Sequence, residues 1–443
     1  MKKPSYLKRA FFYVCSMEKM YQLFLSASGV CTDTRAIEKD CLFIALKGAN
    51  FNGNTFAEEA LKVGAKYAIV DEKEYQTNEN ILLVDDALKF LQELALHHRR
   101  QFVIPIIGIT GSNGKTTNKE LMAAVLQKKY NTHFTFGNLN NHIGVPLTLL
   151  KLKKEHEITI IEMGANKFRD IEELCNITEP NYGIITNIGK AHLDGFGGVA
   201  GVLKTKKELF DAVEKSKGTL IYNADDKVVS GIVPPSTTNY SFSKNDSASL
   251  INGSLIGLTP FVKLKWSVEG YESPEINTNL VGEYNFYNFL AAIAFGVLFD
   301  VPNDDINNAL SEYVPSNNRS QVQKTTLNTL IVDCYNANPS SMRSALTSFS
   351  QIDHDNKIAI LGDMRELGDD EISEHQDIIE LLEELSLDAI LVGGIFDDMD
   401  STYLSFPNVE DLNEYLQTEI IKEALIILKG SRGIQLEKAI YNL

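Results

Sequence analysis

The string GITGSNGKTT, residues 108–117, constrains the fold of this chain more than any other feature. It closes an apolar run, FVIPIIGIT, and leads into ELMAAVLQ, a helix-forming stretch. A strand, a glycine loop and a helix start in that order make a phosphate-binding loop. Gly111 and Gly114 let backbone N–H groups approach phosphate oxygens, and the positive end of the next helix adds to the field. Ser112, Asn113 and Thr117 lie in the same expected cradle. Lys115 is expected to bridge the β- and γ-phosphates of ATP, and the Thr116 hydroxyl to hold Mg²⁺. The strict pattern asks for glycine where this chain has Ile109.

A phosphate ligand needs a local cationic site here, because the chain as a whole repels anions. Lys plus Arg number 42 and Asp plus Glu 59, a net charge of −17. That field disfavours nucleic acid and anionic lipid as partners. The five cysteines, Cys15, Cys31, Cys41, Cys175 and Cys334, form no C-x-x-C pair. They read as reduced thiols of a cytoplasmic protein without a zinc site. No apolar run reaches the roughly 18 residues of a membrane span. The leader MKKPSYLKRAFFYVCSMEKM imitates a signal peptide, but its apolar stretch is short and Glu18 follows it, so export is not expected. Met17 or Met20 is an alternative start. A monomer acting on small molecules is expected.

At about 150 residues per domain, the length suggests roughly three domains. CLFIAL (41–46), YAIV (67–70) and ILLV (81–84) read as buried strands, and 56–63 and 87–98 as helices. The second helix ends on His97, His98, Arg99 and Arg100, cations at its negative end, and a domain boundary is placed there. FVIPIIGIT, EITIIEM (157–163) and YGIITNI (182–188) are further strands, with helices over 199–213 and 287–299. The segment from about 235 to 280 is rich in Ser, Thr and Asn with alternating apolar residues, which predicts an antiparallel insertion. A third block follows near Pro315, with strands TLIVDCY (329–335), KIAILGD (357–363), DAILVG (388–393) and ALIILKG (424–430). Such alternation predicts mostly parallel sheets covered on both faces. The expected architecture is three α/β domains, the central one of phosphate-loop type and the C-terminal one Rossmann-like.

Glu162 ends a predicted strand, at the sheet edge where open α/β sheets bind ligands, and is a candidate metal-holding acid. Further strings lie in a definite order: DTR (33–35) with CLFIALKG (41–48), GNLNNHIGVP (137–146), EMGAN (162–166), TNIGKAHLDGFG (186–197) and TKKEL (205–209). After them come VGEYNFYNFLAA (281–292), SNNRSQ (316–321), DCYNANPSSM (333–342), LGDMRELG (361–368) with His375, and KGSRG (429–433). Together they resemble the Mur ligases of bacterial cell-wall synthesis, over about residues 30–440. Within that family the pattern is similar to the branch that adds D-alanyl-D-alanine to UDP-N-acetylmuramoyl-tripeptide.

The resemblance implies roles. Residues 1–100 would bind the UDP substrate through Thr34, Arg35, Lys47 and Gly48; 101–315 would bind ATP; 316–443 would complete the ligase. Asn138, Asn140 and Asn141 would meet the sugar–peptide, and Asn336 and Asn338 the incoming dipeptide. Asn288 would read adenine, Asp333 the ribose region, and Arg319 would reach the ATP phosphates. Glu162, His192 and Lys206 would be metal ligands with Thr116, Lys206 as a carbamate; taken as bare residues, Lys204, Lys206 and Lys207 make a solvated helix face. The chain departs from the family at His142, often acidic, and at Tyr284, usually His. The implied reaction is ATP-dependent amide formation through an acyl phosphate, with domains closing around Pro315. A related ligase acting on another UDP-muramoyl peptide or on folate, and a nucleotide-hydrolysing switch, are the alternatives.

Overall fold

The computed structural model describes residues 17–190, 193–258, 260–316 and 318–443. The leader, Cys15 and His192 therefore lie outside the described residues. The chain forms two compact units: Met1–Gly108 with Asn131–Met163 and Glu173–Pro180, and Ile109–Tyr130 with Gly164–Glu172 and Asn181–Leu443.

The first unit holds a parallel sheet ordered Val30–Cys31, Leu42–Ile44, Tyr67–Val70, Ile81–Leu83. The last three are the predicted apolar runs, trimmed at their ends except for Tyr67–Val70; Val30–Cys31 was not predicted. Phe43, Ala45, Ala68 and Val70 pack against Ala57 and Ala60 of the helix Ala57–Val63. The helix Ala87–Arg99 starts on Asp86, whose carboxylate accepts the Lys89 N–H. Its cationic end does more than answer the dipole. Arg99 donates to the carbonyls of Thr178 and Glu179, and Arg100 pairs with the Glu179 carboxylate at 2.5 Å. His98 is buried between the Tyr21 hydroxyl and the Leu152 carbonyl, and burial pushes its pKa down. The strands Thr132–Phe134 and Ile158–Glu162 pair in parallel, and the latter bonds Pro105 just ahead of the strand Ile106–Thr110.

In the second unit the end of Ile106–Thr110 bonds Thr186, after the strand Tyr182–Ile185. From there Thr219–Asn223, Thr238–Ser243 and Ile251–Gly257 add in parallel. Only Lys263–Val268, with Tyr271–Glu272 and Ile276–Asn277 on it, runs antiparallel. The insertion expected to be antiparallel is thus half parallel. Alternation marks a strand with two unlike faces but carries no information about its direction. The helix Tyr284–Leu298 is apolar all round and buried, with Phe286, Phe289, Ile293 and Phe295 fully covered. Gly296 lets it lie against the phosphate-loop helix: a Cβ there would come within 2.7 Å of Val125.

The last sheet is ordered Gln321–Lys324, Thr329–Asp333, Leu425–Lys429, Lys357–Gly362, Asp388–Val392, Leu404–Phe406; only the first pair is antiparallel. Two apolar cores, around Leu346, Leu361 and Leu391 and around Val332, Ile426 and Leu428, cover its faces. Asp333, Asp363 and Gly430 fall at or just beyond carboxyl ends of parallel strands, where such sheets bind ligands. Among the described residues no helix is long and apolar enough to cross a membrane.

Candidate active site

The phosphate loop is built as its sequence requires. Ile109 is fully buried in the strand, so the residue that broke the strict pattern is a core position and lies outside the loop. Gly111 has φ +149°, and a Cβ there would sit 1.9 Å from the Thr186 hydroxyl. Gly114 has φ +77° and precedes the helix Lys115–Leu126. The loop is stapled to residues 186–189. Ser112 N donates to the Asn187 carbonyl at 3.0 Å and Asn113 N to its side-chain oxygen at 3.0 Å. The Thr186 hydroxyl donates to the Asn113 carbonyl at 2.6 Å. The Lys115 ammonium folds back on the Gly111 and Ser112 carbonyls at 2.7 and 3.2 Å. Thr116 is buried and Thr117 half-buried at the helix start.

An amide ladder fixes that helix from behind. Asn118 donates to the Gly114 carbonyl and to the Asn288 side-chain oxygen; Asn288 donates to Asn285, and Asn285 to the Val281 carbonyl. Both polar ends of the Asn288 amide are thus engaged within the chain, beside Gly114. Tyr284, where histidine is usual, bonds the Ser320 hydroxyl at 2.8 Å, and burial raises its pKa.

The three lysines of TKKEL and its approach have different fates. Lys204 lies over the Phe168 ring and Lys207 pairs with Asp211. Lys206 alone turns inward from the helix Val199–Lys215 and is 2% exposed. Burial, and then the nearby Lys115 charge, hold its pKa well below the ordinary lysine value, against the opposing pull of Asp170 and Glu208. Glu208 itself is raised, mainly by burial, while the Arg169 and Glu172 N–H groups it accepts pull it down.

At the carboxyl ends of the last sheet, Arg319 stacks over Tyr335 at 3.8 Å and Arg432 flanks the same ring at 5.6 Å. Asp333 pairs with buried Lys429 at 2.5 Å. Asn336 is exposed, its side chain accepting the Ala337 N–H. Asn338 caps the helix Pro339–Ser350 and also donates to Asn113 of the phosphate loop at 2.8 Å. His375 is fully buried: Nδ1 faces the Glu371 carbonyl and Nε2 accepts the Met364 N–H, which fixes the neutral ring as a structural brace.

In the first unit, buried Glu162 accepts from Asn140 at 2.8 Å, and its N–H bonds the Thr135 hydroxyl. The Asn141 side-chain oxygen accepts the Ile143 and Gly144 N–H groups ahead of the helix Gly144–Leu149, Asn138 is exposed, and the His142 carbonyl accepts from Gln92. Arg35 is clamped by Asp33 at 2.7 Å, which holds the Asp33 carboxyl down at about 2. Thr34 opens the short turn Thr34–Ala36. Lys47 pairs with Asp71 at 3.1 Å and Glu72 at 3.4 Å, next to exposed Gly48 in a two-strand hairpin. Among the described residues no three His, Cys, Asp or Glu side chains are grouped to hold a metal.

Three family models match this chain: the Mur ligase middle domain over residues 109–296, the Mur ligase glutamate ligase domain over 318–432, and the Mur ligase family catalytic domain over 26–99. The chain belongs to the Mur ligase family.

It is similar to the UDP-N-acetylmuramoyl-tripeptide--D-alanyl-D-alanine ligase of Bacillus subtilis, 33% identical over 94% of this chain and 93% of that one. The Escherichia coli enzyme of the same name is 32% identical over 94% and 93%. Among solved structures, MurF from Acinetobacter baumannii superposes with a TM-score of 0.86 at 30% identity, covering 96% of this chain and 98% of that one. In this Mur ligase the second unit brings together Lys115, Thr116, Lys206, Asn288 and Asn338 around one loop. Sequence reasoning passed over Asn187, Lys190, Lys429 and Arg432, which complete those contacts. All four stood inside quoted motifs, Asn187 and Lys190 in TNIGKAHLDGFG and Lys429 and Arg432 in KGSRG, so position in a motif was the available signal.

Proposed function

We propose that this Mur ligase joins D-alanyl-D-alanine to the terminal carboxylate of UDP-N-acetylmuramoyl-tripeptide at the expense of ATP, in peptidoglycan precursor synthesis. The reading rests on one observation above all: a phosphate-loop lysine, Lys115, with a buried lysine, Lys206, in its field. The names and near-complete coverage of the relatives support the substrate assignment.

A carboxylate acylates poorly because oxide is a poor leaving group. In the proposed reaction a carboxylate oxygen attacks the γ-phosphorus, the bond to the β,γ-bridging oxygen breaks, and ADP leaves. The loop N–H groups and the Lys115 ammonium, swung from its own carbonyls to the phosphate, offset the developing charge. Arg319, carried on Tyr335, is the second cation. The dipeptide amine then attacks the acyl carbon, gives up a proton, and the tetrahedral intermediate expels phosphate. No enzyme nucleophile is required.

A buried amine kept neutral can add CO₂, losing one proton to form a carbamate. On Lys206 that carbamate places hard anionic oxygens where an ammonium would repel a cation. It and the Thr116 hydroxyl suit Mg²⁺, which when bound neutralises phosphoryl oxygens. Glu162 is proposed as a further carboxylate donor, and His192 keeps the metal role that the resemblance implies. Thr34, Arg35, Lys47 and Gly48 are proposed for UDP, Asn138, Asn140 and Asn141 for the sugar–peptide, and Asn336 and Asn338 for the dipeptide. Asn288 and Asp333 are proposed for the nucleotide. Domain limits near residues 100 and 315, a cytoplasmic location and a monomeric state belong to the same proposal.

The test is phosphate release across a panel of UDP-muramoyl peptides. Release that needs both a tripeptide substrate and D-alanyl-D-alanine is expected. Release with neither present, or with a different amino acid acceptor only, overturns the assignment.

A further inference from the structure

Inside the second unit, two segments far apart in sequence converge on the phosphate loop through polar contacts. The first is residues 187–190, which follow the strand Tyr182–Ile185. Gly189 both donates to and accepts from the Ser112 hydroxyl, at 3.0 and 3.1 Å. The second is the start of the helix Pro339–Ser350, where Asn338 donates to Asn113 at 2.8 Å. The two segments also bond each other: Lys190 N donates to the Ser340 hydroxyl at 3.0 Å. A Cβ on Gly189 would come within 2.8 Å of that hydroxyl, so the approach is close. One ion pair closes the arrangement. The Lys190 ammonium meets the Glu374 carboxylate, on the helix Glu371–Glu384, at 2.5 Å. The Glu374 side chain is 8% exposed and that of Lys190 49%.

We propose that Lys190 and Glu374 are a positioning pair, a latch that holds the start of the helix Pro339–Ser350 against the phosphate loop before nucleotide binds. The asymmetry of burial gives it strength. Removing Lys190 leaves a covered carboxylate without its counter-charge, which costs more than losing an exposed pair. Two consequences follow. Ser112 and Asn113 are tied by contacts within the chain, so the order of the loop depends on the segments the latch joins. And the tie is polar, so it can be broken and remade during turnover without exposing apolar surface.

The latch is tested on the nucleotide-free protein by amide hydrogen exchange, a readout that needs no activity and so stands or falls apart from the ligase assignment. The variants are Lys190→Gln, Glu374→Gln and the swap Lys190→Glu with Glu374→Lys. Each single change should speed exchange in the 110–118 and 337–343 segments together, by roughly tenfold, and the swap should bring both back. Arg at position 190 should behave as wild type. In steady state the Lys190→Gln protein should show a raised KM for ATP with kcat less affected. Faster exchange confined to 186–190, with the other two segments unchanged, overturns the proposal. So does a swap variant that melts like wild type yet fails to restore protection. If the swap does not fold, the two Gln variants decide alone.

Discussion

Two pairs of cations in this chain make an instructive contrast. Lys206 is buried within the field of half-buried Lys115, whereas Arg35 and Lys47 are each matched by a carboxylate and are themselves more open. In the first pair, burial and like charge drive one amine towards neutrality, which opens covalent chemistry to it. In the second, Asp33 and Asp71 hold the charge in place, and the UDP phosphates proposed to bind there would have to compete with them. All four are cations in water; for the lysines, surroundings decide between a reactive amine and a held charge.

Breaking the buried pair should have the largest effect. Lys115→Ala removes the cation proposed to meet the transferring phosphate and should lower kcat by roughly 10²–10³-fold, measured by phosphate release. Lys206→Ala should be comparably damaging if its carbamate holds the metal. The same residue has a signature in stability. Because the folded pKa of Lys206 is lowered, the unfolded chain binds a proton there that the folded chain does not, at pH values up to the ordinary 10.5. Its contribution therefore makes the protein more stable as pH rises through that window. Lys206→Met should flatten the rise in melting temperature between neutral and alkaline pH; an unchanged slope would mean the buried amine is charged.

The loop that holds Lys115 comes next. Gly114→Ala forces a side chain into the left-handed region and against Asn288, and should cost roughly 1–2 kcal/mol with loss of nucleotide protection in thermal melts. The smallest effect belongs to the exposed pair. Arg35→Ala and Lys47→Ala should leave kcat alone and raise the KM for the UDP substrate a few-fold; Arg35→Ala should also leave the melting temperature alone, whereas Lys47→Ala should lower it slightly because the covered Asp71 carboxylate loses its counter-charge. An equal loss of kcat in these variants would erase the contrast.

How far the sequence led follows the same division between local and distant. The phosphate loop was legible because its strand, glycines and helix start are contiguous and each has a local physical reason. Strands of the parallel sheets were legible as apolar runs. The direction of Thr238–Ser243 was not, since a partner strand and not the strand's own pattern sets it. Nor was the inward turn of Lys206, one of three lysines in four positions, which lies over the Phe196 ring only once the chain is folded. Asn338 was expected at the dipeptide; its bond to Asn113, 225 residues away, depends on how the chain returns to the loop. Glu162 was placed correctly at a strand end, but its partner Asn140 emerged only with the fold.

The claim that burial singles out Lys206 is tested most directly by carbon-13 NMR of the protein equilibrated with labelled bicarbonate. One carbamate resonance is predicted in the wild type, in Lys204→Ala and in Lys207→Ala, and none in Lys206→Ala. A resonance that survives the loss of Lys206, or vanishes with either neighbour, would contradict the account.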